Sequence, residues 1–460
     1  MDQKSFLSEA TAQLTALVES GTLRGWSLNA TASRSHQRLF ASPEGTALAC
    51  HQSRRVEGED CKLSVYSPGE DANHVGTAFI DLMPFRPIAE QLEEALELSR
   101  GSQNQAWTLA GPPAIPPAPV ETCDPQLRDN PEAVMEDIEN QFTQAFARAN
   151  GCRLNSAELF VNYSISALTS SEGLAYEVEQ SDVYLEAAME KAGNENDKEV
   201  HEHDTSVAAA DLDIADFVER CALQVAVLGD SEEPETSGSA SILIGKDALS
   251  QMLEAVVMQL NCSNEYLKLP FLQPGDRFGG GEGDALQLQL DPTIPCMALS
   301  AAYAIDGMPA RAGALIENNK VVDRIVGNRF GQYLGLEPNG LSGNLVVEAG
   351  TLTPDALQGT EYVEVIKFSS LLIDSQKLTW SSEIKLGRHI AADGSVTLIK
   401  GGVVSGNLKE NFTGCRLSST LGNVSSPPSS YSPALGYRGP DAMLITRGVS
   451  MAGQTKGENA

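Results

Sequence analysis

Apolar residues recur along this chain with two periods, and the switch between the periods marks its elements. Phe6, Leu7, Ala10, Leu14 and Leu17 fall at helical spacing and predict an amphipathic helix over residues 4–20. Apolar runs at 26–31, 37–40, 46–50 and 63–66 predict a meander of strands. Ile88, Leu92, Leu96 and Leu98 predict a second helix over 87–99, with Pro87 well placed at its start. Residues 109–119 are dominated by proline and read as an extended linker at a subdomain seam.

The same order then recurs. Residues 131–149 are helical by period, and 158–163, 167–170, 174–186 and 200–208 read as strands. Ile214, Phe217, Val218, Cys221, Ala222 and Val225 share one face of a helix over 213–227. Helix, antiparallel strands, helix, occurring twice, predict an internal duplication whose helices pack against one continuous sheet.

A polar linker at 231–239 leads to a strand at 241–244 and the most strongly patterned helix of the chain, 246–260. Its Leu249, Met252, Leu253, Val256, Val257 and Leu260 fall at i, i+3, i+4, i+7, i+8 and i+11, one apolar face over three turns. Downstream, 314–316 and 321–325 flank the turn residues Glu317-Asn318-Asn319-Lys320, a hairpin signal. Gly331, Gly335, Pro338-Asn339-Gly340 and Ser342-Gly343-Asn344 then lead into a strand at 345–348. So many residues able to take positive φ suggest backbone passing close to something. The expected fold class is α+β. Subdomains of helix, sheet and helix at 1–110 and 120–235 precede a mostly antiparallel β domain at 236–460.

Composition changes this picture little, and charge more. The 460 residues can hold two or three domains with real cores. Residues 1–20 lack the charged start and apolar core of a signal peptide, and no apolar run is long enough to span a bilayer. The eight cysteines follow no CxxC or regular spacing, which predicts reduced thiols in a cytoplasmic protein. Net charge is −30, and residues 121–235 carry −21 of it. Such a field disfavours nucleic-acid binding, while it keeps the chain soluble or draws a basic partner or peptide.

Candidate chemistry is sparse. Gly245-Lys246 is not a phosphate loop, because Asp247 stands where a magnesium-binding Ser or Thr belongs. There is no Gly-x-Ser-x-Gly elbow, dinucleotide glycine fingerprint or His-Glu-x-x-His helix. His201 and His203 would share one face of a strand, near enough for a metal, but no third ligand can be assigned and the surrounding polarity fits an exposed edge. Gly279-Gly280-Gly281 reads as a flexible loop. Asp306 and Arg311, which open the glycine-rich passage, with Asn344 and the basic pair Arg388 and His389 near Lys385, are candidates for a peptide groove. Exposed ion pairs account for them equally well.

The order of the C-terminal elements carries a resemblance. Asp306-Gly307-x-Pro309-x-Arg311, a strand ending in an Ile-Glu-Asn turn, a Gly-Asn segment and a strand closing on Gly350 resemble the C-terminal half of the TldD/PmbA family. Thr353-Pro354-Asp355-Ala356-Leu357, the segment Gly401-Gly402-Val403-Val404-Ser405-Gly406-Asn407-Leu408-Lys409 after the strand 396–399, and Met451-Ala452-Gly453 extend the likeness over roughly residues 130–455. In TldD-like subunits the helix equivalent to 246–260 carries a His-Glu-x-x-x-His zinc site, with a later cysteine as third ligand. By that resemblance the histidine positions hold Leu253 and Met258, Glu254 keeps its place, and the passage 379–389 contains no cysteine. Cys415 lies well downstream.

The resemblance therefore implies a PmbA (TldE)-like member without the zinc motif. No cofactor is expected in this chain; zinc is expected in a TldD-like partner. The pair would process unstructured or modified peptides such as peptide-antibiotic precursors. Three readings follow: a pseudo-enzyme subunit of a zinc metallopeptidase, which is preferred; a stand-alone regulator of the gyrase-modulator kind; and an enzyme built on His201 and His203. Heterodimer and self-association both remain open.

Overall fold

The computed structural model describes residues 3–41, 49–193, 199–227, 231–234, 240–428 and 433–453. Helix α1 (Gln3–Glu19) is followed by strands β1 (Gly25–Ala41), β2 (Ala49–Pro68) and β3 (His74–Asp81), helix α2 (Ile88–Arg100) and strand β4 (Gln103–Gln105). Past the proline-rich segment come α3 (Pro125–Asp129), α4 (Pro131–Phe146), β5 (Cys152–Ser170), β6 (Ala175–Lys191), β7 (Glu199–Ser206) and α5 (Ile214–Val227). The strands form one seven-stranded antiparallel sheet, β4-β3-β2-β1-β5-β6-β7, with the first strand of each half paired at its centre. The order helix, three strands, helix thus occurs twice around one sheet.

All five helices lie on one face. Phe6, Ala10 and Leu14 of α1 and Ile88, Leu92 and Ala95 of α2 cover Trp26, Leu28, Leu63 and Val65. Ile138 and Phe142 of α4 and Phe217 and Cys221 of α5 cover Leu159, Val161, Val183 and Leu185. Directly paired residues of antiparallel strands share a face, so the register sets the opposite face too. It carries Asn29, Thr31, Ser33, Ser35 and Gln37 on β1, and Phe160, Asn162, Ser164 and Ser166 on β5. Thr31 and Ser166 pair their hydroxyls at 2.9 Å, and Asn162 donates to Asp182 at 2.6 Å.

That polar face corrects the expected meander. The runs 26–31 and 37–40 are one 17-residue strand, 158–163 and 167–170 are one 19-residue strand, and 63–66 ends a 20-residue strand. In the middle of β1 even the helix-facing positions are polar: Arg34 donates to the Arg128 carbonyl and His36 pairs with Glu132 at 2.8 Å. The middle of the strand therefore looks like loop until its partners are known. Residues 46–48 of the expected run 46–50 lie outside the described residues, as do 235–239 of the polar linker.

The C-terminal half opens with β8 (Ile242–Gly245), α6 (Lys246–Gln259) and α7 (Cys262–Tyr266). It continues through β9 (Leu288–Asp291), β10 (Gly313–Glu317), β11 (Lys320–Val321), α8 (Asn328–Leu334) and β12 (Asn344–Val347). Then follow β13 (Tyr362–Phe368), β14 (Leu372–Asp374), β15 (Thr379–Ile390), β16 (Val396–Asn407), α9 (Leu408–Asn411) and β17 (Cys415–Leu417). The last strands are β18 (Leu421–Ser426), β19 (Leu435–Pro440), β20 (Ala442–Ile445) and β21 (Val449–Ala452). Two sheets result, β11-β10-β9-β12-β19-β18 and β17-β20-β8-β13-β15-β16-β21, with β14 paired to β15. Most pairings are antiparallel; β12 with β19 and β8 with β13 are parallel. Helix α6 touches β12, β18 and β19 of one sheet and β8 and β20 of the other. Its apolar face is the centre of the C-terminal core, with Leu249, Met252, Leu253 and Val256 fully buried. The fold is α+β.

Two features meet the sequence differently than expected. The hairpin forms around Asn318 and Asn319 at φ 48° and 63°, but its second strand stops at Val321. The chain then turns to the end of α6, where the Ile325 amide donates to the Leu260 carbonyl at 2.8 Å. The glycines 279–281 are not a loose loop. They lie on residues 412–413, where a side chain at Gly279 or Gly281 would strike the Phe412 or Thr413 carbonyl.

Candidate functional site

Helix α6 starts directly from β8 with Gly245 in extended conformation as its cap. The two residues at the resemblance's ligand positions are five apart, which a regular helix turns by about 140°. Leu253 accordingly points into the core and is fully buried, whereas Met258 is 48 % exposed. Between them in angle sits Glu254, half-buried, its carboxyl raised above the ordinary range by burial alone. Leucine offers no lone pair and a thioether is a poor ligand for Zn²⁺ with a bound water.

The cysteine downstream of the passage 379–389 is equally unsuited. Cys415 is buried in β17, and burial pushes its thiol up to about 12. Gly283 lies so close that a side chain there would meet the Cys415 backbone. Burial thus favours the neutral thiol over the thiolate, which is the form that ligates metal. All eight cysteines are free, four of them buried. Among the described residues no three His, Cys, Asp or Glu side chains converge as a metal site.

His201 and His203 do share the outward face of β7, and both are exposed. His201 Nε2 lies 2.9 Å from Glu186 on β6, while His203 stacks on Tyr184 at 5.8 Å, continuing the Phe160–Tyr184 stack. Glu202, between them, points the other way and pairs with Lys367 of β13, tying the N-terminal sheet to the C-terminal half.

The five groove candidates are dispersed. Asp306 accepts the Asn328 amide at the start of α8 and the Met308 amide at 3.3 Å. Arg311 donates to the Asn339 carbonyl at 3.0 Å and faces Asp323 at 3.4 Å. Asn344 is fully buried; its amide donates to the Asp291 carbonyl and Ser300 Oγ and its oxygen accepts the Leu299 amide, all at 3.0 Å. Arg388 and His389 stand in the other sheet, opposite Glu364 at 3.6 Å and Glu361 at 3.0 Å. Asp306 and Arg311 thus each bind the segment 323–339, Asn344 braces a sheet, and the basic pair lies elsewhere.

Sequence reasoning missed a concavity on the second C-terminal sheet. A trough of about 810 Å³ crosses β14, β15, β16 and β21, lined by Leu372, Asp374, Thr379, Ser381, Ser405 and Ser450 among others. Ser405 and Ser450 pair their hydroxyls at 3.0 Å, and Trp380 beneath the floor donates from Nε1 to Asn411 at 2.7 Å. The alternation of Ser and Thr with buried Trp380 and Val404 was its only trace in the sequence.

Residues 237–438 match the sequence model of the PmbA/TldA metallopeptidase C-terminal domain. No curated protein matches the chain in sequence. Three solved structures share the fold over nearly the whole length. A proposed modulator of DNA gyrase from Bacteroides thetaiotaomicron is 15 % identical, with a TM-score of 0.76 over 97 % of this chain and 99 % of that one. A second proposed gyrase modulator, from Thermotoga maritima, is 16 % identical with a TM-score of 0.75 over 97 % and 100 %. TldE from Thermococcus kodakarensis is 14 % identical with a TM-score of 0.74 over 96 % and 100 %. Residues 237–438 thus match the C-terminal domain of the PmbA/TldA metallopeptidases, and the whole chain has the fold of these three structures.

Proposed function

We propose that this chain is the non-metal-binding, TldE-like subunit of a TldD-like zinc metallopeptidase that processes unstructured or modified peptides. The observation that carries the reading is helix α6. At the positions where the resemblance expects zinc-binding histidines it holds Leu253, which is sunk in the core, and Met258, which has no chemistry to offer the metal. The likeness of the whole fold to TldE supports the same branch of the family. In this reading the chain supplies surface and architecture, and its partner supplies zinc and the bound water whose pKa zinc lowers.

A stand-alone protein-binding regulator is the second reading, suggested by the description of two structures of this fold as proposed gyrase modulators. The net charge of −30 opposes contact with DNA but not with protein. Elemental analysis of the purified chain after mild chelation tests the first reading. It predicts no stoichiometric zinc; about one tightly held zinc per chain contradicts it and returns attention to His201 and His203.

A further inference from the structure

Strand β2 has a long edge that no strand covers. On one side β1 pairs with it from residue 49 to residue 66. On the other side β3 pairs only with 62–68, and the Leu82 amide takes the Cys61 carbonyl at 2.7 Å. Residues 49–60 therefore have no partner strand on their outer side among the described residues, and all 12 are exposed. That is about twice the common length of a whole strand. An open edge offers its backbone amides and carbonyls to any other strand, and chains blunt such edges with proline, lysine, bulges or a covering loop. Residues 49–60 contain no proline and no lysine, and the one register shift against β1 falls near their start, at His51.

The edge does carry charge, which is the other common guard, but the charges are ordered by sign. Arg54 and Arg55 precede Val56, while Glu57, Glu59 and Asp60 follow it. Laid antiparallel against itself about Val56, this sequence is its own complement. Val56 then stands opposite Val56 of a second copy, Arg55 opposite its Glu57, and Ser53 opposite its Glu59. By symmetry each charged pair occurs twice. Arg54 meets Gly58, which leaves its long side chain room to reach Asp60 on the diagonal. Directly opposite residues share a face. Arg55 and Glu57 lie on the face that carries Leu63, and Val56, exposed at 47 %, lies on the other. Within one chain Arg55 already pairs with Glu57, both side chains more than half exposed, so each is free to turn to a neighbour.

The same register has an apolar end. Gln52 of the copy stands opposite Asp60, so the copy's preceding residues run onto the segment that begins at Leu82, where Met83 and Phe85 are exposed. The net charge of −30 opposes self-association at long range. Locally that objection is weak, because two arginines against three acids leave residues 49–60 at −1.

We propose that this edge is an isologous interface, in which β2 of two copies of this chain pair antiparallel about Val56 and continue one sheet across a dimer. The pairing belongs to the N-terminal sheet and does not depend on which chain holds zinc. The experiment is sedimentation velocity of the purified chain over a concentration series. Its variants are Arg55→Glu, the exchange Arg55→Glu with Glu57→Arg, and Val56→Cys in a Cys50→Ser background. The wild type should be a reversible dimer. Arg55→Glu sets like charges opposite each other twice and should raise the dissociation constant about tenfold or more, whereas the exchange should return it to within about threefold of the wild type. Because these side chains are exposed, thermal unfolding should hardly move. Val56→Cys should cross-link into a two-chain species under mild oxidation, and Cys50→Ser alone should not. A wild-type chain that stays monomeric across the series overturns the proposal, as does a dimer that Arg55→Glu leaves unweakened. An exchange variant no better than Arg55→Glu overturns the register about Val56. Cross-linking through Val56→Cys only to a different protein overturns the second copy as the occupant.

Discussion

Glu254 is the one residue that this chain shares with the zinc motif of the resemblance, and its surroundings say what it can do. Its carboxyl is raised by burial, and among the described residues no three His, Cys, Asp or Glu side chains converge as a metal site that would give it a water to activate. In the assembled complex Glu254→Gln should therefore change turnover by no more than roughly threefold, whereas the same change in the partner's motif glutamate should cost about 10²-fold or more, the scale of a lost general base. Steady-state cleavage of a peptide by each variant complex measures this. Glycines offer a second test at this scale. Gly343 has φ 115°, and a side chain there would meet the Pro292 backbone at 2.3 Å; Gly335 has φ 67° but faces open space. Gly343→Ala should destabilise the chain by about 2 kcal/mol or more and Gly335→Ala by about 1 kcal/mol, read as ordered shifts in thermal unfolding. Residue roles were the least legible part of the sequence. Nothing near Asp306 in the chain shows that its carboxylate receives the amide of Asn328, and nothing near Asn344 shows that it will be buried against Asp291 and Ser300.

At the scale of elements, helix α4 is held to the sheet by polar contacts as well as by its apolar face. Glu132 lies 2.8 Å from His36 and 2.9 Å from Arg38, and these partners, His36 foremost, hold its carboxyl below the usual range of 4.5. A depressed acid contributes stability that is complete above its unfolded pKa and is lost as pH falls through the folded value. The contribution of Glu132 should thus be present at neutral pH and disappear in mild acid, below about pH 4.5. Glu132 is largely exposed, so screening keeps the effect under about 1 kcal/mol. Glu132→Gln should lower thermal stability slightly at pH 7 and not at pH 3; an equal loss at both would contradict the linkage. The amphipathic helices α1, α2, α4, α5 and α6 were readable because their buried faces repeat at 3.6 residues. Strands β1 and β5 were readable only in pieces, because one face of their sheet is mostly polar. Helix α8 was hidden by Gly331 at its centre. That glycine is required because the Val326 side chain and Leu336 carbonyl leave no room for another residue.

For the whole molecule, the N-terminal sheet and the C-terminal β layers are joined by few contacts that the sequence announces. Lys367 reaches across to Glu202 and to the His201 carbonyl at 2.8 Å, and the proline-rich segment is pinned on both halves. The duplicated order of elements was visible as a pattern, but the pairing of β1 with β5 at the sheet centre is a long-range fact that periodicity cannot carry. Among the described residues no helix is long and apolar enough to cross a membrane. The central claim is that this architecture completes an active site whose metal belongs to another chain. Cleavage of an unstructured peptide should be measured with this chain alone, with a TldD-like subunit alone, and with the two co-expressed and purified as one peak by size exclusion. Activity in the complex and none from this chain alone is the predicted result; full turnover by this chain in isolation would contradict it.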